Sequence, residues 1–188
     1  MKVAIISDIH DNVWKLKAVL DTVKDADMLI CCGDLCSPFI IDLMAVYFSK
    51  QIHIVFGNND GDQYRITQNA ARHKDEKGNN RVMLYGQFYS GTIDNRKIAV
   101  NHYPDIALPI AESAIYDLVC YGHNHLVKKE RKGKTLFVNP GTIMGYDPVA
   151  NKDVPVTFGV YDTGSGDVQP YELISGPDSG DSAHVRSL

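Results

Sequence analysis

Five short apolar runs in this chain each end on a residue type that binds metals. Val3-Ala4-Ile5-Ile6-Ser7 runs into Asp8-Ile9-His10, and Leu29-Ile30-Cys31-Cys32-Gly33 runs into Asp34. Ile52-His53-Ile54-Val55-Phe56-Gly57 runs into Asn58-Asn59-Asp60. Ile98-Ala99-Val100-Asn101 leads to His102, and Leu118-Val119-Cys120-Tyr121-Gly122 leads to His123-Asn124-His125. Short apolar runs bounded by turn residues read as buried strands. Ligands of an open α/β sheet gather at the carboxyl ends of its strands. One Asp-x-His or one His-x-His means little, but five endings of the same kind point to one shared centre.

The segments between these runs set the fold class. Residues 12–24 carry Val13, Leu16, Leu20 and Val23 at helical spacing, with Asp11 as the expected N-cap. A strand over 28–32, a helix opened by Pro38 and reaching 48, and a strand over 51–56 follow. Repeated strand–helix–strand units imply a parallel sheet core. Residues 61–80 read as a helix and then an exposed loop. From Arg81 the texture changes to short strands over 81–85, 87–92 and 97–101, then a helix over 105–113. Strands over 118–121, 126–131 and 134–138 come next, and 157–161 with 168–174 form a closing hairpin around Gly164-Ser165-Gly166. This predicts an α/β chain with one domain over 1–174 and a mobile Ser-, Gly- and Asp-rich tail over 175–188.

Composition narrows the partners. Apolar residues make up 44% and charged residues 22%, which fits a soluble globular protein. No apolar run approaches the ~20 residues of a membrane span. The apolar start is too short for a signal peptide, so a cytoplasmic protein is expected. The net charge of −4 argues against nucleic acid and membrane surfaces as partners. It leaves a phosphate substrate open, because metal ions supply positive charge. Cys31, Cys32, Cys36 and Cys120 read as reduced thiols, with Cys31 and Cys32 on opposite strand faces.

The residue types at the strand ends fit a two-metal site. Asp and His suit Mn, Fe, Zn and Ni, a carboxylate can bridge two ions, and the Asn58 amide oxygen adds a neutral ligand. In extended Asp-x-His or His-x-His the two ends share a face, so one short segment supplies two ligands. Gly33, Gly57 and Gly122 each precede a ligand position and keep bulk away from the ion.

In order and spacing, Asp8-x-His10, Gly33-Asp34, Gly57-Asn58-Asn59-Asp60, His102 and Gly122-His123-x-His125 resemble the motifs of the calcineurin-like metallophosphoesterases. The short length and Asn139-Pro140-Gly141-Thr142 resemble the small bacterial and archaeal phosphodiesterase branch. The resemblance implies two stacked mixed β-sheets flanked by helices, a four-layer sandwich. It implies two divalent ions per chain, drawn from Mn, Fe, Zn or Ni. Asp8, His10 and His125 would hold the first, Asn58, His102 and His123 the second, and Asp34 would bridge them. The implied reaction is hydrolysis of a small phosphate ester, a diester in preference to a monoester, by in-line attack of a bridging hydroxide. A non-catalytic protein-binding scaffold of the same fold is the alternative; the complete ligand set favours the enzyme. Small members often self-associate, so a homo-oligomer stays open.

The chain departs from the resemblance in instructive places. Many relatives read Gly-Asn-His where this chain has Gly57-Asn58-Asn59, and that histidine helps the leaving group depart. Asn59 donates a hydrogen bond but transfers no proton, and general acid catalysis is worth about 10²–10⁴-fold. Asp60 either orients a ligand histidine or caps the following helix. Asn101-His102-Tyr103-Pro104 stands where many relatives read Thr-His-Gly-His, so Tyr103 packs, narrows the mouth or stacks on a substrate base. The amino end of the helix at Asn12 offers backbone N–H donors to the substrate. Asn139-Pro140-Gly141 reads as a turn under the site. His53 reads as a strand-face histidine, and His73 and His184 as solvated.

Overall fold

The computed structural model describes residues 1–175 and 183–188. Its first half alternates β1 (Lys2–Ile6), α1 (Val13–Thr22), β2 (Met28–Cys31), α2 (Phe39–Tyr47), β3 (Gln51–Ile54), α3 (Gln63–Arg72) and β4 (Val82–Leu84). Strands β1 to β4 pair in parallel, as the repeated units require. The late strands β12 (Thr157–Asp162), β13 (Asp167–Ser175) and β14 (His184–Ser187) extend this sheet beyond β1, giving the order β14-β13-β12-β1-β2-β3-β4.

A second sheet is built from β5 (Phe88–Ile93), β6 (Arg96–Asn101), β7 (Leu118–Cys120), β8 (Lys128–Lys132) and β9 (Thr135–Asn139), in the order β5-β6-β7-β9-β8. Its helix α4 (Pro104–Glu112) links β6 to β7. A separate two-stranded hairpin, β10 (Tyr146–Asp147) with β11 (Lys152–Asp153), stands outside both sheets.

Strand alternation sorts the core into layers. On β1, Ala4 and Ile6 face α1, α2 and α3, where they join Leu16, Val19, Met44 and Ile66. Val3 and Ile5 face the second sheet and join Ile98, Val100, Leu118 and Val138. Ala107 and Ala111 of α4 cover the outer side of the second sheet at Val119 and Phe137. The result is helices, sheet, sheet, helix, the four-layer sandwich that the resemblance implies. Cys31 and Cys32 fall in different layers, and all four cysteines are free thiols. Among the described residues, no helix is long and apolar enough to cross a membrane.

Several local expectations are corrected. The N-cap of α1 is Asn12, whose Oδ1 accepts from Lys15 N–H. Asp11 instead accepts from the Ser37 N–H and hydroxyl, tying the loop after β1 to the loop after β2. His73 is not free in solvent; its Nε2 lies 2.7 Å from Asp42 Oδ1. The hairpin β10–β11 went unanticipated. Of the expected mobile tail, residues 176–182 lie outside the described residues, and His184–Ser187 is a strand paired with β13.

Candidate metal centre

The parallel strands of both sheets deliver their carboxyl ends to one place. Asp8 follows β1, Asp34 follows β2 and Asn58 follows β3. His102 follows β6 directly, and His123 and His125 follow β7. The first three hang from one sheet and the last three from the other.

The backbone is forced to curl there. Asp8, His10, Asp34, His123 and His125 all have φ between 44° and 74°, a conformation that costs an L residue about 1–3 kcal/mol. Hydrogen bonds hold it in place. Asp8 N–H donates to Gly33 O, and the Ile9 and His10 N–H groups both donate to Asp34 O. Met144 N–H and the Thr142 hydroxyl both donate to Asp8 O. Space and backbone conformation both demand glycine here. A Cβ at Gly57 would collide with the Asp34 carboxylate, and one at Gly33, whose φ is +106°, would lie 2.8 Å from His102 Nδ1.

Two carboxylates meet three imidazoles in the interior. Asp8 is 0% exposed, Asp34 1% and His102 0%. Asp34 Oδ2 lies 3.5 Å from His10 Nε2 and 3.4 Å from His102 Nε2. Asp8 Oδ1 lies 3.4 Å from His125 Nε2 and 4.0 Å from the Nε2 atoms of both His10 and His102. Two groups have the compactness of a cation site: Asp8 with His10 and His125, and Asp8 with Asp34 and His102. Asn58 Oδ1 extends the array, 3.2 Å from His102 Nε2 and 2.9 Å from His123 Nδ1. All seven predicted ligand residues are thereby brought together.

The donor set fits divalent ions. Two adjacent buried carboxylates need compensating positive charge. His10 Nε2 is buried and has no hydrogen-bond partner, though it points at Asp34 and Asp8. His102 Nδ1 rests on Cys32 O at 2.8 Å, and His125 Nδ1 on Tyr146 O at 2.7 Å. A proton fixed on Nδ1 leaves Nε2 free for an ion. Charges follow the same layout. Burial opposes the charge of Asp34, but the His102 ring and the Asn59 donors hold its carboxyl well below the usual range. Burial lowers His10 against the pull of Asp34 and Asp8. In His102 and His125 burial is outweighed by the facing carboxylates, and both are raised.

The remaining predicted residues are placed as follows. Asn59 is exposed and grips Asp34 through its backbone N–H and its amide. Asp60 neither orients a histidine nor caps α3, whose cap is Asp62. Its carboxylate is 6% exposed and accepts from the N–H groups of Gly57, Asp34, Leu35 and Cys36. It is a clamp joining the loops after β2 and β3. Tyr103 stands at the N-cap position of α4 without a side-chain capping bond and sets its ring 5.2 Å from His102 and 5.4 Å from His123, edge-on. The Asn12 side chain is committed to the α1 cap and to Met144 O. Asn139 forms the turn beneath, donating to Gly122 O and Asn124 Oδ1. Sequence reasoning missed Cys36, whose Sγ lies 3.6 Å from His10 Nδ1, and Thr142 and Tyr146, which brace Asp8 and His125. Thr142 ends the Asn139-Pro140-Gly141-Thr142 motif, which was the available signal.

Comparison with known proteins identifies the family. Residues 1–166 match the calcineurin-like phosphoesterase superfamily domain, and the chain belongs to that superfamily. A curated relative, phosphodiesterase MJ0936 of Methanocaldococcus jannaschii, is 29% identical over 167 residues, covering 87% of this chain and 93% of the relative. A solved archaeal phosphodiesterase is 27% identical, with a TM-score of 0.80 over 92% of this chain and 100% of the other. Vacuolar protein sorting 29 from Cryptosporidium parvum shares the fold, at 19% identity and a TM-score of 0.68 over 100% of this chain and 96% of the other.

Proposed function

We propose that this protein is a divalent-metal-dependent phosphoesterase with two ions per chain and a preference for diesters. The observation that carries this reading is the buried meeting of Asp8 and Asp34 with the Nε2 atoms of His10, His102 and His125, one of them orphaned. Asp8, His10 and His125 would hold the first ion, Asn58, His102 and His123 the second, and Asp34 would serve both. Bound there, the ions supply Lewis acidity and a water that is nucleophilic at neutral pH.

The chain's own residues supply the rest. Carbonyl contacts at Nδ1 fix His102 and His125 in one tautomer. Asn59 orients Asp34 and leaves leaving-group protonation to solvent. The amino end of α1 at Asn12 and the ring of Tyr103 contact the substrate at the rim. The diester preference is supported by the named activity of the archaeal relative.

The deciding experiment is elemental analysis of the purified protein, paired with Mn²⁺-dependent hydrolysis of bis-p-nitrophenyl phosphate and p-nitrophenyl phosphate. Two metals per chain and faster turnover of the diester are expected. A folded protein with neither metal nor turnover would overturn the assignment and leave the protein-binding scaffold.

A further inference from the structure

Three imidazoles aim Nε2 at the carboxylates, yet they are not backed alike. His102 and His125 each rest Nδ1 on a backbone carbonyl, at 2.8 and 2.7 Å. His10 Nδ1 instead faces a sulfur, Cys36 Sγ, at 3.6 Å. That distance is short enough for a hydrogen bond to sulfur, whose larger radius lengthens the contact. A neutral imidazole that binds through Nε2 carries its proton on Nδ1 and needs an acceptor there.

The sulfur is not there by accident of an open loop. Cys36 is held at φ +75°, its N–H donates to Asp60 Oδ1 at 2.9 Å, and its carbonyl accepts from Gly61 N–H at 3.1 Å. These contacts fix the backbone from which the thiol reaches the His10 ring. Cys36 is also the one cysteine that is not fully buried; Cys31, Cys32 and Cys120 sit within the core layers.

We propose that Cys36 is the positioning residue for His10: its thiol sulfur accepts a hydrogen bond from Nδ1–H and keeps Nε2 turned toward Asp8 and Asp34. The inference rests on the metal reading above and deepens it. A thiol sulfur is a weaker acceptor than a carbonyl. His10 is therefore the least firmly held of the three rings, and the ion it helps bind is the first to leave.

The test compares wild type with Cys36→Ala and Cys36→Ser. Two-bond ¹H–¹⁵N spectra of the metal-free protein report the His10 tautomer, a signature that general loosening of the fold would not single out. Wild type should show one Nδ1–H tautomer at His10, and Cys36→Ala a mixture, with His102 and His125 unchanged. Calorimetric titration with Mn²⁺ should then show one of two binding events weakened about 10–100-fold in Cys36→Ala, with the other preserved. Cys36→Ser, which keeps an acceptor, should recover most of the affinity. If Cys36→Ala does not fold, the serine variant carries the test: its His10 must keep the Nδ1–H tautomer. Unchanged tautomer and affinity in Cys36→Ala would overturn the proposal, as would a mixed tautomer in wild type. A wild-type protein that binds no Mn²⁺ would overturn the metal reading instead, and the tautomer result would still judge Cys36.

Discussion

Asn59 holds Asp34 twice, its backbone N–H 2.8 Å from one carboxylate oxygen and its amide Nδ2 2.8 Å from the other. Where many relatives carry a proton donor at this position, this chain carries a brace.

That brace shapes the expected chemistry. With no histidine at 59, turnover should fall steeply as the leaving group becomes more basic. Asn59→His should flatten this dependence, raising alkyl phosphodiester turnover with aryl diesters little changed; a general acid contributes at most about 10²–10⁴-fold. Rates across a series of leaving groups of graded pKa give the slope in both proteins. An equal change for alkyl and aryl esters would remove the leaving-group argument.

Asp34→Asn removes a charge that both proposed ions share, while keeping the shape. Bound metal and activity should disappear together, and circular dichroism should remain that of the wild type. Full activity in this variant would refute the shared role.

Asp60→Asn exchanges a carboxylate acceptor for an amide that turns its NH₂ toward backbone donors. Hydrogen bonds to a charged acceptor are worth about 1.5–3 kcal/mol each, and not all four fail at once. A loss of about 3 kcal/mol is expected, a fall in Tm of about 6–12 °C for a chain of this size. Thermal denaturation in the presence of a chelator separates this effect from metal loss.

His53 provides a pH-dependent term away from the site. It lies between the sheets against Tyr85 and Tyr89, each ring 5.2 Å away, with neither nitrogen partnered. Burial lowers its pKa to about 4. The unfolded chain takes up this proton below about 6.5 and the folded protein only near 4, so stability is full above 6.5 and declines as pH falls between the two. Between pH 7 and 5 the wild type should lose about 2 kcal/mol more than His53→Leu. Parallel pH profiles of denaturant unfolding would measure the difference.

The proposed ligand residues were legible because they close apolar runs, and runs that alternate with helices pair in parallel and end together. The fold followed from the same alternation. What stayed hidden depends on contacts between distant loops. Asp60 binds N–H groups about two dozen residues earlier in the chain, a reach that no local spacing records. Asp11 and Asn12 are both competent caps, and the choice fell to Asn12 because Ser37 takes the Asp11 carboxylate. The thiol behind His10 was invisible for the same reason, since Cys36 is brought there by a loop pinned to Asp60 and Gly61. His184–Ser187 has too little apolar character to be read as a strand, and its pairing with β13 supplies what its residues lack.

The seven proposed ligand positions come from both sheets: Asp8, His10, Asp34 and Asn58 from one, His102, His123 and His125 from the other. Whatever those residues grip would join the two sheets at that end, as Asp94 and Arg96 of one join Thr163 of the other at the opposite end.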